Sequence, residues 1–201
     1  ETYKRTLSIN GPLITTNGAA IVDSRDDQIL WSREIDRATT QNIVNYAKAH
    51  DYDYSILTGK DCYFSPNSIR IQRFVQYNVQ ALADGLPLIP LIHLNGDNMS
   101  IEGHIYKILI NELQQGQIEG AFRHYQKLNN VTVTYSESGL LDILPSGVSK
   151  GAGVRKLKQI LGVEKEEVCV FGDYLNDLTM FQEAGFPIAM ENAHEKIKEL
   201  A

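Results

Sequence analysis

Apolar runs and helical patterns alternate along the last third of the chain. The helical pattern SKGAGVRKLKQILG, residues 149–162, is followed by the apolar run EEVCVFGD and then by the helical pattern NDLTMFQEAG. The apolar run FPIAM and the helical pattern NAHEKIKELA come next. Because strands that alternate with helices form parallel sheets, this region predicts an α/β core with a parallel sheet.

The middle of the chain has a different pattern. A polar turn divides AIVDSRDDQILWSREI into a predicted hairpin, and strand patterns recur in YDYSILTGKDCYF, HIYKILI and VTVTYSESGLLDILP. Helical patterns lie among them in TTQNIVNYAKAHD, which has a threonine cap, in SIRIQRFVQYNVQAL and in IEGAFRHYQKL. This mixture predicts an α+β unit with an antiparallel sheet and about two to four helices.

The two patterns together predict two structural units. The segment LIT, residues 13–15, predicts a buried strand that ends in a Thr-Asn-Gly turn. We assign residues 1–17 and 143–201 to a core and residues 18–142 to a domain inserted into that core. Two linkers are expected to join the units.

Composition narrows the range of functions. The chain has 201 residues, 43% of them hydrophobic, which is enough for a sizeable core. The chain has 19 Lys and Arg against 25 Asp and Glu, so it is acidic, and it contains no basic run. Both features argue against binding to nucleic acid or to an anionic membrane. No apolar run reaches the length of a membrane-spanning helix. We expect no membrane association, and either a monomer or a homodimer.

The cysteines indicate a reducing compartment. Cys62 and Cys169 are the two cysteines of the chain and lie far apart in the sequence. Cys169 is part of the apolar run VCVF and is expected to be buried as a small hydrophobic residue. No structural disulfide is implied, so a cytoplasmic location is expected.

The stretch VFGDYLNDLTMF places two carboxylates and an amide directly after a predicted strand. Asp173 follows a glycine at the strand's carboxyl end, where α/β sheets bind ligands. A hard cation such as Mg²⁺ prefers carboxylate oxygens, water and phosphate, so Asp173 is a candidate ligand. Asp177 is expected to support the metal site without binding the metal directly. Asn176 is expected to donate a hydrogen bond to a substrate oxygen. In the alternative interpretation, Asp173 and Asn176 only cap the helix.

The stretch SGVSKGAGVRKL is a candidate phosphate site. Ser149 is a natural N-cap, and Lys150 begins the predicted helix. Free N–H groups and the helix dipole attract anions at such a position, and a lysine adds a mobile positive charge. Lys150 could instead be an ordinary surface lysine, as expected for Lys156 and Lys165. One helix and one strand separate Lys150 from Asp173, which favours a phosphoryl-transfer site on adjacent parallel strands.

These motifs resemble a known family. LDILPSGVSKGAGVRKLKQILGV, VCVFGDYLNDLTMFQEAGFPIAMENA and GPLITTNGAAIVD are similar to the Cof-type, sugar-phosphatase-like branch of the haloacid dehalogenase superfamily. The resemblance covers nearly the whole chain. It implies a Rossmann-like core with an inserted α/β cap domain. It also implies Mg²⁺-dependent hydrolysis of small phosphorylated metabolites, such as sugar phosphates, through an aspartyl-phosphate intermediate.

The resemblance also implies a role for each motif residue. Lys150 would balance the negative charge of the nucleophile and of the phosphoryl group, and Asp177 would steady Lys150 and metal-bound water. Asp173 would ligate Mg²⁺. The implied substrate contacts come from four residues, Asn17, Gly18, Lys150 and Asn176. In the alternative interpretation, Asn17 and Gly18 form an ordinary turn.

The chain departs from the family pattern at one decisive point. The Asp-x-Asp-Gly-Thr motif, which carries the nucleophile and the general acid/base, does not occur in the sequence, and neither does the Thr-Gly-Arg-type motif. Residues 1–7 resemble the end of a helix, and the chain ends before the family's last strand. We therefore expect a chain truncated at both ends, with the nucleophile upstream of Glu1 and without activity by itself. The alternatives are a non-catalytic phosphate-binding or interaction module, and a phosphomutase of the same superfamily.

Overall fold

The computed structural model describes residues 8–94, 100–111, 113–137 and 139–201. The predicted helix end at residues 1–7 lies outside these ranges. Six α-helices are present within them, as the sequence patterns predict: α1 (Arg37–Ala49), α2 (Ile71–Ala83), α3 (Gln115–Tyr125), α4 (Lys150–Leu161), α5 (Leu178–Phe181) and α6 (Glu195–Lys198).

Helix α1 begins earlier than its sequence pattern suggests. Its N-cap is Asp36, whose side chain accepts a hydrogen bond from the backbone N–H of Thr39 at 2.8 Å. The predicted threonine cap was therefore wrong. A carboxylate at this position satisfies one free N–H group and also complements the helix dipole. Ile43, Val44 and Ala47 form the buried face of α1.

Six strands form the largest sheet: β4 (Asp53–Thr58), β5 (Cys62–Phe64), β6 (Leu91–His93), β7 (Ile105–Asn111), β8 (Val131–Glu137) and β9 (Leu140–Pro145). Their order in the sheet is β6-β5-β4-β7-β9-β8. Neighbouring strands run antiparallel except β5 and β6, which are parallel. The predicted antiparallel sheet in the middle of the chain is thus present, and the three helices α1, α2 and α3 accompany it.

The two faces of this sheet differ in polarity. One face packs against α1 and α3 through a continuous apolar cluster that includes Ile108 and Ile143. Because side chains alternate along a strand, Lys107 in β7 and Asp142 in β9 belong to the opposite face. We call this second side, with its buried charged groups, the polar face of the sheet.

Two smaller sheets complete the described fold. Strands β1 (Leu13–Thr15), β2 (Ala20–Val22) and β3 (Ile29–Ser32) form an antiparallel sheet, which confirms the predicted hairpin. Strand β1 was predicted to be buried, but its residues are only half-buried, because β2 is its one neighbour among the described strands. Strands β10 (Cys169–Gly172) and β11 (Phe186–Ala189) pair in parallel, as the alternation of elements predicts.

The structure confirms the α/β class. Parallel strands β10 and β11 are connected through α5, whereas the six-stranded sheet is mostly antiparallel. The division into a core of residues 1–17 and 143–201 and an inserted domain of residues 18–142 stays a prediction. Among the described residues, no helix combines the length and the hydrophobicity needed to cross a membrane.

The two cysteines differ in exposure. Cys62 is buried in β5, and its burial raises the pKa of its thiol to about 12. Cys169 was expected to be buried but is exposed. Strand β10 turns Val170 and Gly172 inward, so Cys169 and Phe171 lie on its outer side.

We expect a chromogenic disulfide reagent at neutral pH to modify Cys169 and to leave Cys62 intact in the folded chain. The thiolate is the reactive form, and a buried thiol of high pKa rarely ionises. Absorbance should therefore report one reacted thiol in the native chain and both in guanidinium chloride. Cys169→Ser is the control, and rapid reaction of the native Cys169→Ser chain would contradict the burial of Cys62.

Candidate active site

A buried carboxylate closes the loop that follows β10. A 3₁₀ turn, Leu175–Asp177, brings Asp177 back toward the end of the strand. Its Oδ2 atom accepts the backbone N–H groups of Asp173 at 3.0 Å and Tyr174 at 3.2 Å. Only 2% of Asp177 is exposed. Asp177 therefore shapes the loop. The capping by Asp173 and Asn176 that the alternative interpretation proposed is not among the described hydrogen bonds.

The other oxygen of Asp177 binds Lys150. The Lys150 Nζ atom lies 2.5 Å from Asp177 Oδ1, and 33% of the lysine side chain is exposed. The start of α4 and the loop after β10 are thus joined, although 27 residues separate the two side chains. Asp173 lies close to this ion pair, because its backbone N–H group donates to Asp177. Lys150 and Asp173 are therefore close together, as their spacing in the sequence predicts. The expected adjacent parallel strands were wrong, because β9, which precedes Lys150, lies in the antiparallel part of the six-stranded sheet, whereas β10 pairs with β11. The roles of these residues stay predictions.

The backbone at the start of α4 is less open to an anion than the sequence suggests. Ser149 caps the helix and accepts the N–H of Ala152 at 3.1 Å, as predicted. The N–H of Gly151 donates to Thr179 Oγ1 at 3.1 Å. The neighbouring backbone is so close that a Cβ atom on Gly151 would lie 2.1 Å from the Thr179 carbonyl oxygen. The positive charge available to an anion is therefore mainly the Lys150 side chain.

The turn after β1 packs against the same end of α4. Thr16 and Asn17 both have positive φ values, 47° and 55°, and Gly18 follows at 96°. A Cβ atom on Gly18 would lie 2.1 Å from the Ser149 carbonyl oxygen, so only glycine fits there. Gly18 thus brings Asn17 close to Lys150 through tight backbone packing.

A cavity of about 230 Å³ lies where these elements meet. Among the predicted substrate contacts, Asn17, Lys150 and Asn176 line it, whereas Gly18 is not part of the described lining. Strand β8 forms another wall. The full lining is Asn17, Thr132, Val133, Thr134, Leu144, Val148, Ser149, Lys150, Leu175, Asn176 and Thr179. This arrangement offers one cation and several neutral polar groups to a small anionic ligand.

Asp173 meets the minimum requirement for an Mg²⁺ ligand. Its side chain is exposed at the end of β10, and no hydrogen bond or ion pair described for the chain uses its carboxylate. Asp177 is occupied on both oxygens. The described residues contain no group of three or more ligands for a metal ion. Mg²⁺ commonly takes only one or two carboxylates beside water and phosphate, so Asp173 fits such a site as one ligand.

Sequence reasoning missed several polar residues around the cavity. Thr132 and Thr134 of β8 line it, and Lys107 and Asp142 bind Asn17 from the polar face of the sheet. The lone lysine in the apolar strand IYKILI was the available signal. Its partners could not be named, because they lie 35 and 90 residues away.

Comparison with known proteins agrees with the resemblance in the motifs. Residues 1–201 match the family of haloacid dehalogenase-like hydrolases. Phosphatase YwpJ of Bacillus subtilis (strain 168) is 26% identical over 212 residues, an alignment that covers 97% of this chain and 74% of YwpJ. The 5-amino-6-(5-phospho-D-ribitylamino)uracil phosphatase YwtE of the same organism is 34% identical over 132 residues, 63% of this chain and 41% of YwtE.

A solved structure supports the fold. A haloacid dehalogenase-like hydrolase from B. subtilis superimposes with a TM-score of 0.81 at 23% identity, over 100% of this chain and 76% of that one. This likeness confirms the α/β fold with a Rossmann-like core that the resemblance implied.

We expect Asp177→Asn to lower the free energy of unfolding by about 2 kcal/mol, since hydrogen bonds to buried charged groups contribute on the order of 1.5–3 kcal/mol. The amide keeps the shape of the side chain but loses the charge that binds Lys150, and its nitrogen cannot accept an N–H. Urea denaturation measures the change. Glu166→Gln makes the same replacement at an exposed carboxylate and should change stability little. Equal stability of the two variants would contradict a structural role for Asp177.

Proposed function

Because the chain belongs to the haloacid dehalogenase-like hydrolases along its whole length, we propose that it acts as an Mg²⁺-dependent phosphatase of small phosphorylated metabolites, such as sugar phosphates. The observation that carries the proposal is the Lys150–Asp177 pair at the cavity. YwpJ and YwtE are named phosphatases, and the name of YwtE specifies a small phosphorylated molecule. Their names support the reaction class, and the cavity supports a small ligand.

Lys150 supplies the positive charge of the site. Its ammonium group binds the buried Asp177, yet a third of the side chain remains exposed, so it can also reach a ligand in the cavity. Phosphoryl transfer depends on positioning and on neutralising charge on the transferred group. Asp177 contributes by fixing where the ammonium lies, because its second oxygen is anchored to the backbone. In this proposal Lys150 and Asp177 are the catalytic pair among the described residues.

Two amides complete the contacts to the phosphoryl group. Asn176 lies within the loop that Asp177 closes, and Asn17 belongs to the turn after β1. Both line the cavity. Each amide carries two N–H donors, which suit phosphate oxygens. Asp173 is the proposed Mg²⁺ ligand. The ion, when bound, would neutralise part of the negative charge on the phosphoryl group.

The nucleophile is proposed to be an aspartate upstream of Glu1, as the resemblance implies. Its carboxylate oxygen would bond to phosphorus while the bond from phosphorus to the ester oxygen breaks. The second aspartate of the same upstream motif, the general acid/base that the resemblance implies, would protonate that oxygen and so release the alcohol. Water would then hydrolyse the aspartyl-phosphate to inorganic phosphate. We also propose residues 18–142 as the cap that selects the substrate, since Thr132 and Thr134 of that segment line the cavity.

We expect Lys150→Ala to lower kcat for phosphate esters by about 10²–10³-fold, the cost typical of removing one preorganised charge-stabilising group. The protein should be expressed with any residues that its gene places before Glu1 or after Ala201. Phosphate release from a panel of sugar phosphates, nucleotides and pyridoxal phosphate measures the rate, with and without Mg²⁺. Lys165→Ala, at an exposed lysine, is the matched control and should keep the parental rate.

The 201-residue chain by itself should show no turnover under the same conditions. Turnover at the rate of the longer protein would place the nucleophile within these residues and overturn the proposed mechanism. If the longer protein binds inorganic phosphate without hydrolysing any ester, the non-catalytic phosphate-binding module is the better interpretation.

A further inference from the structure

A buried charged cluster lies on the polar face of the six-stranded sheet, behind the cavity. Asp142 in β9 is fully buried, with 0% of its surface exposed. Its carboxylate accepts three hydrogen bonds, from Lys107 Nζ at 2.7 Å, Asn17 Nδ2 at 2.5 Å and Ser136 Oγ at 2.9 Å. We call these four residues the Asp142 cluster. The cluster connects β7, β8 and β9 to the turn after β1.

The cluster fixes the orientation of the Asn17 amide. Its nitrogen donates to Asp142, and its oxygen lies 3.4 Å from Lys107 Nζ. The two ends of the amide cannot be exchanged, because a carboxylate requires a donor and an ammonium requires an acceptor. An amide nitrogen carries two hydrogens and only one points to Asp142. No other hydrogen bond described for the chain uses this nitrogen, and Asn17 lines the cavity, so its second N–H is available to a ligand there.

The backbone at Asn17 needs such an anchor. Thr16 and Asn17 both have a left-handed backbone, a conformation that non-glycine residues adopt only when the surrounding structure holds it. Gly18 fixes the next position by contact with the Ser149 carbonyl group. The Asn17 side chain binds a different element, through Asp142 of β9. The turn is thus held by backbone packing on one side and by the charged cluster on the other.

Stability alone does not explain a buried ion pair at this position. Burial lowers the pKa of Lys107, and the positive charges of Lys150 and Arg70 lower it further, against the opposing effect of Asp142. Apolar side chains of similar volume often serve stability equally well or better. The Lys107–Asp142 pair is costly to desolvate, and its two members bind the two ends of the Asn17 amide. This arrangement indicates that the pair orients Asn17.

We propose that Lys107 and Asp142 are positioning residues that hold the Asn17 amide so that its free N–H points to the phosphoryl group of the ligand. The inference rests on the proposed function for the identity of the ligand. Lys107 and Asp142 act through Asn17 and do not touch the reacting atoms. They should therefore affect ligand binding, whereas Lys150 affects the rate of the chemical step.

The test measures inorganic phosphate binding by calorimetry, and KM and kcat for a phosphate ester, on the protein with its flanking gene residues. Lys107→Met, Asp142→Asn and the double variant, which removes both charges, are compared with the parent. We expect each to raise Kd and KM by about tenfold, the effect of losing one hydrogen bond to a charged group, with kcat within about threefold.

The decisive arm repeats these substitutions in an Asn17→Gly background. Glycine tolerates the left-handed backbone and removes only the side chain. If Lys107 and Asp142 act through Asn17, they should change Kd and KM by less than about twofold in that background. If Lys107→Met or Asp142→Asn still raised Kd and KM by about tenfold in the Asn17→Gly background, the proposal would be overturned. Variants that lose stability in urea but keep the parental Kd and KM would also overturn it.

Lys158→Met is the matched control for the loss of a buried ion pair. Lys158 binds Glu183 at 3.2 Å and has 16% of its side chain exposed, against 12% for Lys107, but it does not line the cavity. Lys158→Met should lower stability without changing phosphate affinity.

The outcomes separate the positioning role from the proposed function. If the parent protein hydrolyses esters and the variants keep its KM, the positioning role fails and the proposed function stands. If the parent binds phosphate without hydrolysis and the variants bind it less well, the proposed phosphatase function fails and the positioning role stands. Absence of both binding and hydrolysis in the parent overturns both.

Discussion

The pairing of the buried Asp177 carboxylate with Lys150 is the interaction on which the candidate site depends. One oxygen of Asp177 anchors the backbone after β10, and the other binds the ammonium group at the start of α4. An unpaired charge is costly at 2% exposure, so the loop and the helix must be close for either to be stable. The same constraint leaves the carboxylate of Asp173 exposed at the end of the strand.

Close packing around α4 extends this arrangement to the rest of the cavity. Gly18 and Gly151 bring neighbouring backbones into contact with the two sides of the helix start, at distances where no other side chain fits. The turn that carries Asn17 and the helix that contains Thr179 are therefore fixed against Lys150. The cavity walls come from elements that are distant in sequence but share this one helix end.

The six-stranded sheet contributes to the site through its polar face. Its other face is an ordinary apolar core against α1 and α3, where Ile108 and Ile143 are fully buried. Lys107 and Asp142 alternate with these residues, so the same strands that build the core also carry charge toward the cavity. The fold thereby separates stability from ligand contact on the two sides of one sheet.

The sequence by itself determined most of the local structure and the central motif. Hydrophobic periodicity predicted the elements, because helix and strand periods are local properties. Spacing also placed Lys150 near Asp173. The family resemblance implied that Asp177 acts on Lys150, but only the tertiary structure showed that the two side chains form an ion pair. Only the tertiary structure, likewise, showed that β1 pairs with β2 and that Cys169 is exposed. These outcomes depend on which distant segments meet, and no local pattern encodes that. The Asn17–Asp142 contact across 125 residues is the clearest example, because its two side chains acquire a common role only when the turn and the sheet come together.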